Sequence, residues 1–150
     1  MKKTILLPLF FIIICSCAST KQYVKFTDGQ ILEPGMARIY IIKPSFVGSA
    51  VKVAIFCDDK LIGNATNGSY LAWDVPVGEH TIGNTQFAHA GATLGSATGE
   101  DLIRINAKEG ETYYIRVSPR IGGMDFKILD KEDGKRQLKG RKQPKQNYIE

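Results

Sequence analysis

From residue 37 onward, apolar and polar positions alternate along short stretches of the chain. In one of these stretches Leu71, Trp73 and Val75 share a face and Asp74 is opposed to them. A period of two is typical of β-strands that bury one face. Turn-forming residues separate eight stretches of this kind, at intervals of about 8–12 residues. The pattern therefore predicts an all-β fold, an immunoglobulin-like antiparallel β-sandwich of about seven or eight short strands.

The N-terminus has a different pattern, with two lysines followed by a continuous apolar run. Lys2 and Lys3 precede ten apolar residues, 5–14. A transmembrane helix needs roughly 20 apolar residues, so this run is too short to span a bilayer. A basic start and a short apolar core are the features of a secretory signal peptide.

The end of this signal resembles a bacterial lipobox, which consists of a branched apolar residue, a tolerant position, a small residue and a cysteine. Ile14-Cys15-Ser16-Cys17 has this order, and Cys17 is the residue preceded by a small side chain. The resemblance implies cleavage after Ser16 and a membrane anchor of acyl chains on Cys17. Ala18 follows where an aspartate would favour the inner membrane, so we expect lipid attachment to the outer membrane. The alternative is a simple secreted protein with a chance cysteine.

The mature chain is expected to have three parts. After the signal peptide, residues 1–16, a polar lipidated segment over 17–36 is expected to act as a tether. The sandwich domain covers 37–139, with a weak helical turn near residues 132–138. The basic tail, 140–150, is expected to be disordered.

Charge and cysteine content change once the signal is removed. The whole chain has 150 residues, a formal charge of +5 and three cysteines. Residues 17–134 carry 12 Lys/Arg against 14 Asp/Glu, so the basic character belongs to the C-terminal end. No nucleic-acid partner is expected for an exported protein of this kind. Cys57 is the one thiol that remains unmodified, so no intramolecular disulfide is expected.

Five strand and turn motifs of this chain together have a recognisable pattern. The motifs are Ala37-Arg38-Ile39-Tyr40-Ile41-Ile42-Lys43-Pro44, Asp59-Lys60-Leu61-Ile62-Gly63, Gly68-Ser69-Tyr70, Val75-Pro76-Val77-Gly78-Glu79-His80-Thr81-Ile82 and Glu109-Gly110-Glu111-Thr112-Tyr113-Tyr114-Ile115-Arg116. They resemble the bacterial lipoprotein family catalogued as domain of unknown function 2846 and, more distantly, short β modules named for a Pro-Glu-Gly-Ala turn. The resemblance covers roughly residues 37–140 and implies an immunoglobulin-like sandwich on a lipid anchor, with no established activity. A Gly/Ala-rich loop over 88–99 is longer than is usual in the family.

Few residues suggest chemistry. His80 has no Cys or His at the spacing of a zinc site, and after a glycine turn its ring is expected to hydrogen-bond the turn backbone. Asp58 and Asp59 are expected in a hairpin turn for backbone reasons. The strand register of Cys57 favours a buried thiol over a reactive one. His89 is interpreted as a solvated loop residue.

These observations favour a lipid-anchored envelope protein that is not an enzyme and that binds a partner or has a structural role. No catalytic residue, metal, cofactor or small-molecule substrate is predicted. The partners expected are the membrane, through Cys17, and an envelope protein or polymer. One alternative is an anionic-lipid or polymer-binding module, which acts through the tail and Arg116 or Arg120. A second is an enzyme built from His80, Asp58 and Cys57, which requires these side chains to meet in space. The basic residues available for anionic contact are Lys135, Arg136, Lys139, Arg141, Lys142 and Lys145.

Overall fold

The computed structural model describes residues 20–45, 52–84, 102–120, 123–141 and 144–146. Ten strands and one helix lie within these ranges. They are β1 (Lys21–Gln22), β2 (Met36–Lys43), β3 (Val53–Cys57), β4 (Lys60–Ala65), β5 (Ser69–Pro76), β6 (Gly78–Gly83), β7 (Leu102–Ala107), β8 (Thr112–Arg120), β9 (Gly123–Leu129), α1 (Lys131–Leu138) and β10 (Lys145–Gln146).

The strands form two sheets that share one apolar core. The larger sheet has the order β10-β1-β4-β3-β6-β7, and the smaller has the order β5-β2-β8-β9. Both sheets contribute fully buried side chains to this core, such as Ile55 from the larger and Ile39 from the smaller. The β-sandwich prediction is confirmed, and the seven or eight strands expected from the sequence lie within β2–β9. Most pairs are antiparallel, but β2 pairs with β8 in parallel, as β1 does with β10.

The predicted period of two sets the register of the buried residues. Leu71, Trp73 and Val75 all enter the core, whereas Asp74 points to the other face of β5. A buried aliphatic side chain contributes about 1.5–3 kcal/mol relative to an exposed one, so this face supplies much of the stability of a domain without a disulfide.

The outer face of the smaller sheet has a second, aromatic cluster. Tyr40 stacks on Tyr114 with 5.4 Å between ring centroids, and Phe26 meets Tyr40 edge-on. Helix α1 covers this face, where Gly134 lies directly on the Tyr114 ring and Leu138 adds apolar contact. The cluster consists of Phe26, Tyr40, Ile42, Tyr70, Ala72 and Tyr114.

Helix α1 begins at a side-chain cap. The Asp130 carboxylate accepts a hydrogen bond from the Asp133 backbone N–H at 2.8 Å, as N-cap residues do. The predicted helical turn near residues 132–138 is therefore present. Within the described ranges, no helix has the length and apolar character needed to cross a membrane.

The described part of the expected tether packs against the sandwich. Gln22 is fully buried in β1, and its Oε1 accepts a hydrogen bond from the Ala72 N–H at 3.0 Å. Thr20 and Phe26 are also buried. From residue 20 onward, the segment expected to act as a tether over 17–36 therefore packs against the sandwich.

The described part of the C-terminal segment, which was expected to be a disordered tail, also contributes to the sandwich. Lys145 and Gln146 form β10, which extends the larger sheet beside β1. The signal peptide, the lipidation residue Cys17, His89 and the loop over 88–99 lie outside the described residues.

Candidate functional site

The site is built around a two-residue hairpin turn. Strand β3 ends at Cys57 and β4 begins at Lys60, so Asp58 and Asp59 alone connect the two strands. Their φ angles are 47° and 66°, which is the left-handed geometry of a type I′ turn. Aspartate tolerates this region better than most residues, which explains its use here.

Strand pairing then brings a distant histidine to this turn. Cys57 lies opposite Ile82 in the antiparallel pair of β3 with β6, and His80 precedes Ile82 by two residues. His80 Nδ1 lies 2.5 Å from Asp58 Oδ2, and its Nε2 lies 2.8 Å from the Pro76 carbonyl oxygen. Pro76 belongs to the glycine turn that precedes His80 in sequence, so the predicted hydrogen bond from His80 to the backbone of that turn is confirmed.

The carboxylate of Asp58 is the centre of this arrangement. One oxygen faces His80, while the other accepts a hydrogen bond from the Thr81 backbone N–H at 2.8 Å. The Cys57 thiol donates a weak hydrogen bond to Asp58 over 3.8 Å. We call the three side chains the Cys57–Asp58–His80 cluster; their potential ligand atoms all lie within 4.8 Å of one another.

The electrostatics favour an ionised carboxylate and a neutral thiol. Burial alone raises the pKa of Asp58, but hydrogen bonds from His80 and Thr81 outweigh burial and lower it. Burial, together with the nearby Asp58 charge, raises the pKa of Cys57 to about 12. The Cys57 side chain is 5% exposed, so the prediction of a buried thiol is confirmed.

The cluster opens into a cleft of about 450 Å³. Val24, Lys25, Val75 and Pro76 are among the residues that line the cleft. Trp73 also lines it; this residue is 4% exposed, and its Nε1–H has no hydrogen-bond partner among the residues that the structure describes. Trp73 partly offsets the rise in the pKa of Cys57 that burial and the Asp58 charge cause.

The expectation that His80 has no zinc-ligand partners came from sequence spacing, and the structure brings two potential ligands to it. Cys57 and Asp58 are more than twenty residues away in sequence and reach His80 through the pairing of β3 with β6. The three residues of the enzymatic alternative therefore do meet in space. Asp59, by contrast, is exposed and is not part of this cluster.

Four of the basic residues predicted to contact anions lie in or just after α1, namely Lys135, Arg136, Lys139 and Arg141. Lys135 pairs with Glu132 over 3.7 Å, and Arg136 pairs with Asp133, so two of the cations are partly neutralised. A second cleft of about 510 Å³ brings several of the others together. It is lined by Asp28, Tyr70, Lys135, Leu138, Lys139, Gly140 and Arg141. Lys142 and the side chain of Lys145 lie outside the described residues.

Sequence reasoning missed a polar cluster on the outer face of the smaller sheet. Arg38 makes a two-point contact with Asp74 at 2.7 and 3.0 Å, and Gln30 donates to the same carboxylate at 2.7 Å. Arg38 also lies over the Phe26 ring, 5.0 Å from its centroid. Arg38 and Asp74 are opposite charges that face each other across β2 and β5. Their pairing could have been predicted only if the register of the two strands had been known.

Comparison with known proteins gives two similarities. Residues 33–128 match a family described as "Protein of unknown function (DUF2846)". An uncharacterized protein of Haemophilus influenzae is 28% identical over 110 residues, which cover 71% of this chain and 60% of that protein. The matched part thus falls short of two thirds of the relative's length.

Proposed function

Because this chain belongs to the DUF2846 family, whose description states no activity, we propose a function from its own residues. The protein is a lipid-anchored component of the bacterial cell envelope, held at the outer membrane through Cys17. Its β-sandwich is a non-enzymatic module that binds an envelope partner or has a structural role. The observation that carries the proposal is the succession of Lys2 and Lys3, the apolar run 5–14 and the Ser16-Cys17 pair.

The position of the domain relative to Cys17 supports close attachment. Thr20 is buried, and its hydroxyl lies 2.5 Å from that of Thr66. Three residues of chain reach at most about 11 Å. An acylated Cys17 would therefore hold the end of the larger sheet that contains β10 and β1 next to the lipid, without the long tether expected from sequence.

The chemistry of the Cys57–Asp58–His80 cluster supports a non-enzymatic role. Papain-like catalysis needs an imidazole that takes the thiol proton. Here Nε2 of His80 must donate to the Pro76 carbonyl, and Nδ1 faces the Asp58 carboxylate rather than the sulfur. Burial and the Asp58 charge, which raise the pKa of Cys57 to about 12, further disfavour a thiolate nucleophile.

Metabolic labelling with a fatty-acid analogue tests the anchor. We expect the wild type to be labelled and to sediment with membranes, and Cys17→Ala to lose both properties. Cys15→Ala is the matched control and should be labelled like the wild type, because Cys15 leaves with the signal peptide. Equal labelling of the wild type and Cys17→Ala would contradict the proposal.

The cleft beside α1 favours a second candidate function, the binding of anionic lipids or acidic envelope polymers. Lys135, Lys139 and Arg141 line it and outnumber its one carboxylate, that of Asp28, and an excess of one charge sign around a concave surface raises the local concentration of the opposite ion. Replacing all three with Gln should abolish sedimentation with anionic vesicles at low salt, and deletion of 140–150, which removes only Arg141 of the three, should weaken it. The double variant Lys52→Gln/Lys108→Gln, whose residues are exposed and lie outside the cleft, should bind normally. Unchanged sedimentation of the triple variant would exclude this candidate.

A further inference from the structure

We propose that the Cys57–Asp58–His80 cluster binds a thiophilic divalent cation of the Zn²⁺ type. This inference goes beyond the proposed function, since it assigns a ligand to the cleft that adjoins the cluster. One sulfur, one imidazole nitrogen and one carboxylate oxygen lie within 4.8 Å of one another. These are the three ligand types that zinc takes in proteins, and three protein ligands leave a fourth position for water or another molecule.

The hydrogen bond of His80 to Pro76 is the first independent support. A metal-ligating histidine usually donates its other ring N–H to a carbonyl or carboxylate, which fixes the tautomer and the ring orientation. Nε2 of His80 makes this contact with the Pro76 carbonyl at 2.8 Å. Its other nitrogen, Nδ1, is thereby directed into the cluster.

The second support is the buried indole of Trp73. Its N–H has no hydrogen-bond partner in the described part of the chain, although the residue is only 4% exposed. A donor left without a partner in an apolar core is unfavourable by about 1–3 kcal/mol. The Cys57 sulfur is a weak acceptor as a thiol and a strong one as a metal-bound thiolate. Trp73 and Cys57 line the same cleft, so metal binding would place a strong acceptor in the cleft wall that also holds this N–H.

The distances are close to those of a coordinated ion. With zinc bond lengths of about 2.0–2.3 Å, tetrahedral ligand atoms lie roughly 3.3–3.5 Å apart. The Cys57 sulfur is 3.8 Å from Asp58 Oδ2, and His80 Nδ1 is 2.5 Å from the same oxygen. Of these two distances, only that between His80 Nδ1 and Asp58 Oδ2 has to lengthen appreciably, and all three ligand atoms lie within 4.8 Å of one another. The Asp58 side chain is 47% exposed, which allows it to rotate, while Cys57 and His80 are held in β3 and β6.

Binding is an exchange of protons for a cation. The S–H bond of Cys57 breaks, and the proton between His80 Nδ1 and Asp58 leaves, so two protons go to solvent and no atom is oxidised or reduced. The thiolate and the carboxylate then balance the two positive charges of the ion. The fourth coordination position faces the cleft of about 450 Å³, where Lys25 and Lys60 are placed to accept an anionic ligand.

The full chain with Cys15→Ser and Cys17→Ser is the protein for the test, because Cys57 is then its single thiol. Trp73 is the one tryptophan of the chain, so its fluorescence reports directly on the site. We expect tag-free protein to bind Zn²⁺ with 1:1 stoichiometry and a change in Trp73 emission. Co²⁺ should give a sulfur-to-cobalt charge-transfer band, and calorimetry in buffers of different ionisation enthalpy should give two released protons.

The variants separate the cluster from general metal binding. Cys57→Ser, Asp58→Asn and His80→Gln should each weaken binding by at least about tenfold, as loss of even an outer partner does. Asp59→Asn, at the other position of the same turn, should bind like the parent. An unchanged affinity in Cys57→Ser would overturn the proposal. If that variant fails to fold, the parent protein decides, since Co²⁺ binding without the charge-transfer band, or no 1:1 binding, overturns it equally.

Discussion

Replacement of Gly134 by alanine is the sharpest test of how α1 packs on the smaller sheet. In an exposed helix this change stabilises by about 1 kcal/mol, because glycine is the poorer helix former. Here a Cβ at position 134 would lie far inside van der Waals contact with Cβ and Cγ of Tyr114, and 2.5 Å from Cδ2. Because the Tyr114 ring is stacked on Tyr40, its Cβ and Cγ cannot move aside easily.

We therefore expect Gly134→Ala to destabilise this protein, whereas the same substitution stabilises an exposed helix. Overpacking in a well-packed region costs about 1–3 kcal/mol, and here the backbone of α1 has to shift as well. This outweighs the gain in helix propensity, and we expect a net loss of about 1–2 kcal/mol in the free energy of unfolding. For a chain of this length the melting temperature should fall by about 2–8 °C.

Thermal and urea unfolding, followed by Trp73 fluorescence and circular dichroism, measure this loss. Gln137→Ala, on the same helix, is the control and should change stability by less than about 0.5 kcal/mol. A melting temperature that rises in Gly134→Ala would refute the reasoning, since it would mean that α1 does not approach Tyr114 closely.

Three further predictions concern polar groups elsewhere in the domain. Asp74→Asn should lower the free energy of unfolding in urea by roughly 3 kcal/mol, because it leaves the largely buried Arg38 without its charge partner; a loss near zero would contradict the importance of this pair. Burial lowers the pKa of Lys43 from its ordinary 10.5, so between the two values the unfolded state binds more protons and stability rises with pH. That rise, measured by urea unfolding between about pH 8 and pH 10, should be smaller in Lys43→Met, and equal slopes would exclude the effect. Since burial and the nearby Asp58 charge raise the pKa of Cys57 to about 12, its thiol should react with a disulfide reagent more slowly by a factor on the order of a thousand in the folded than in the unfolded chain. Equal reaction rates would show that the thiol is accessible.

The sequence predicted the strands because the period of two is a local property. Strands β2–β9 each have enough residues to express it, and the Asp58-Asp59 turn has its own local signal. Strands β1 and β10 have two residues each, too few for a period. Their position depends on contacts with distant residues, such as that of Gln22 with Ala72, so a polar segment was interpreted as a tether.

The same distinction applies to the site. The burial of Cys57 and the hydrogen bond of His80 to the backbone follow from the strand and turn that contain them. The contact of His80 with Asp58 beside Cys57 depends on the pairing of β3 with β6. Rules for the spacing of metal ligands apply within one segment of sequence, so they could not reveal it. The close contact of Gly134 with Tyr114 also joins distant segments, and a glycine within a helix gave no indication of its partner.

The parallel pair of β2 with β8 has a consequence for the order of folding. Strand β2 lies in the middle of the smaller sheet, yet Arg38 is opposite Thr112, half the chain away. In a chain that crosses a membrane N-terminus first, β2 can pair with β5 early, but its other edge stays open until β8 has emerged. Contacts of such sequence separation slow folding and leave apolar strand edges exposed in the meantime. For the exported protein proposed above, the smaller sheet could therefore be completed only after β8 has crossed the membrane.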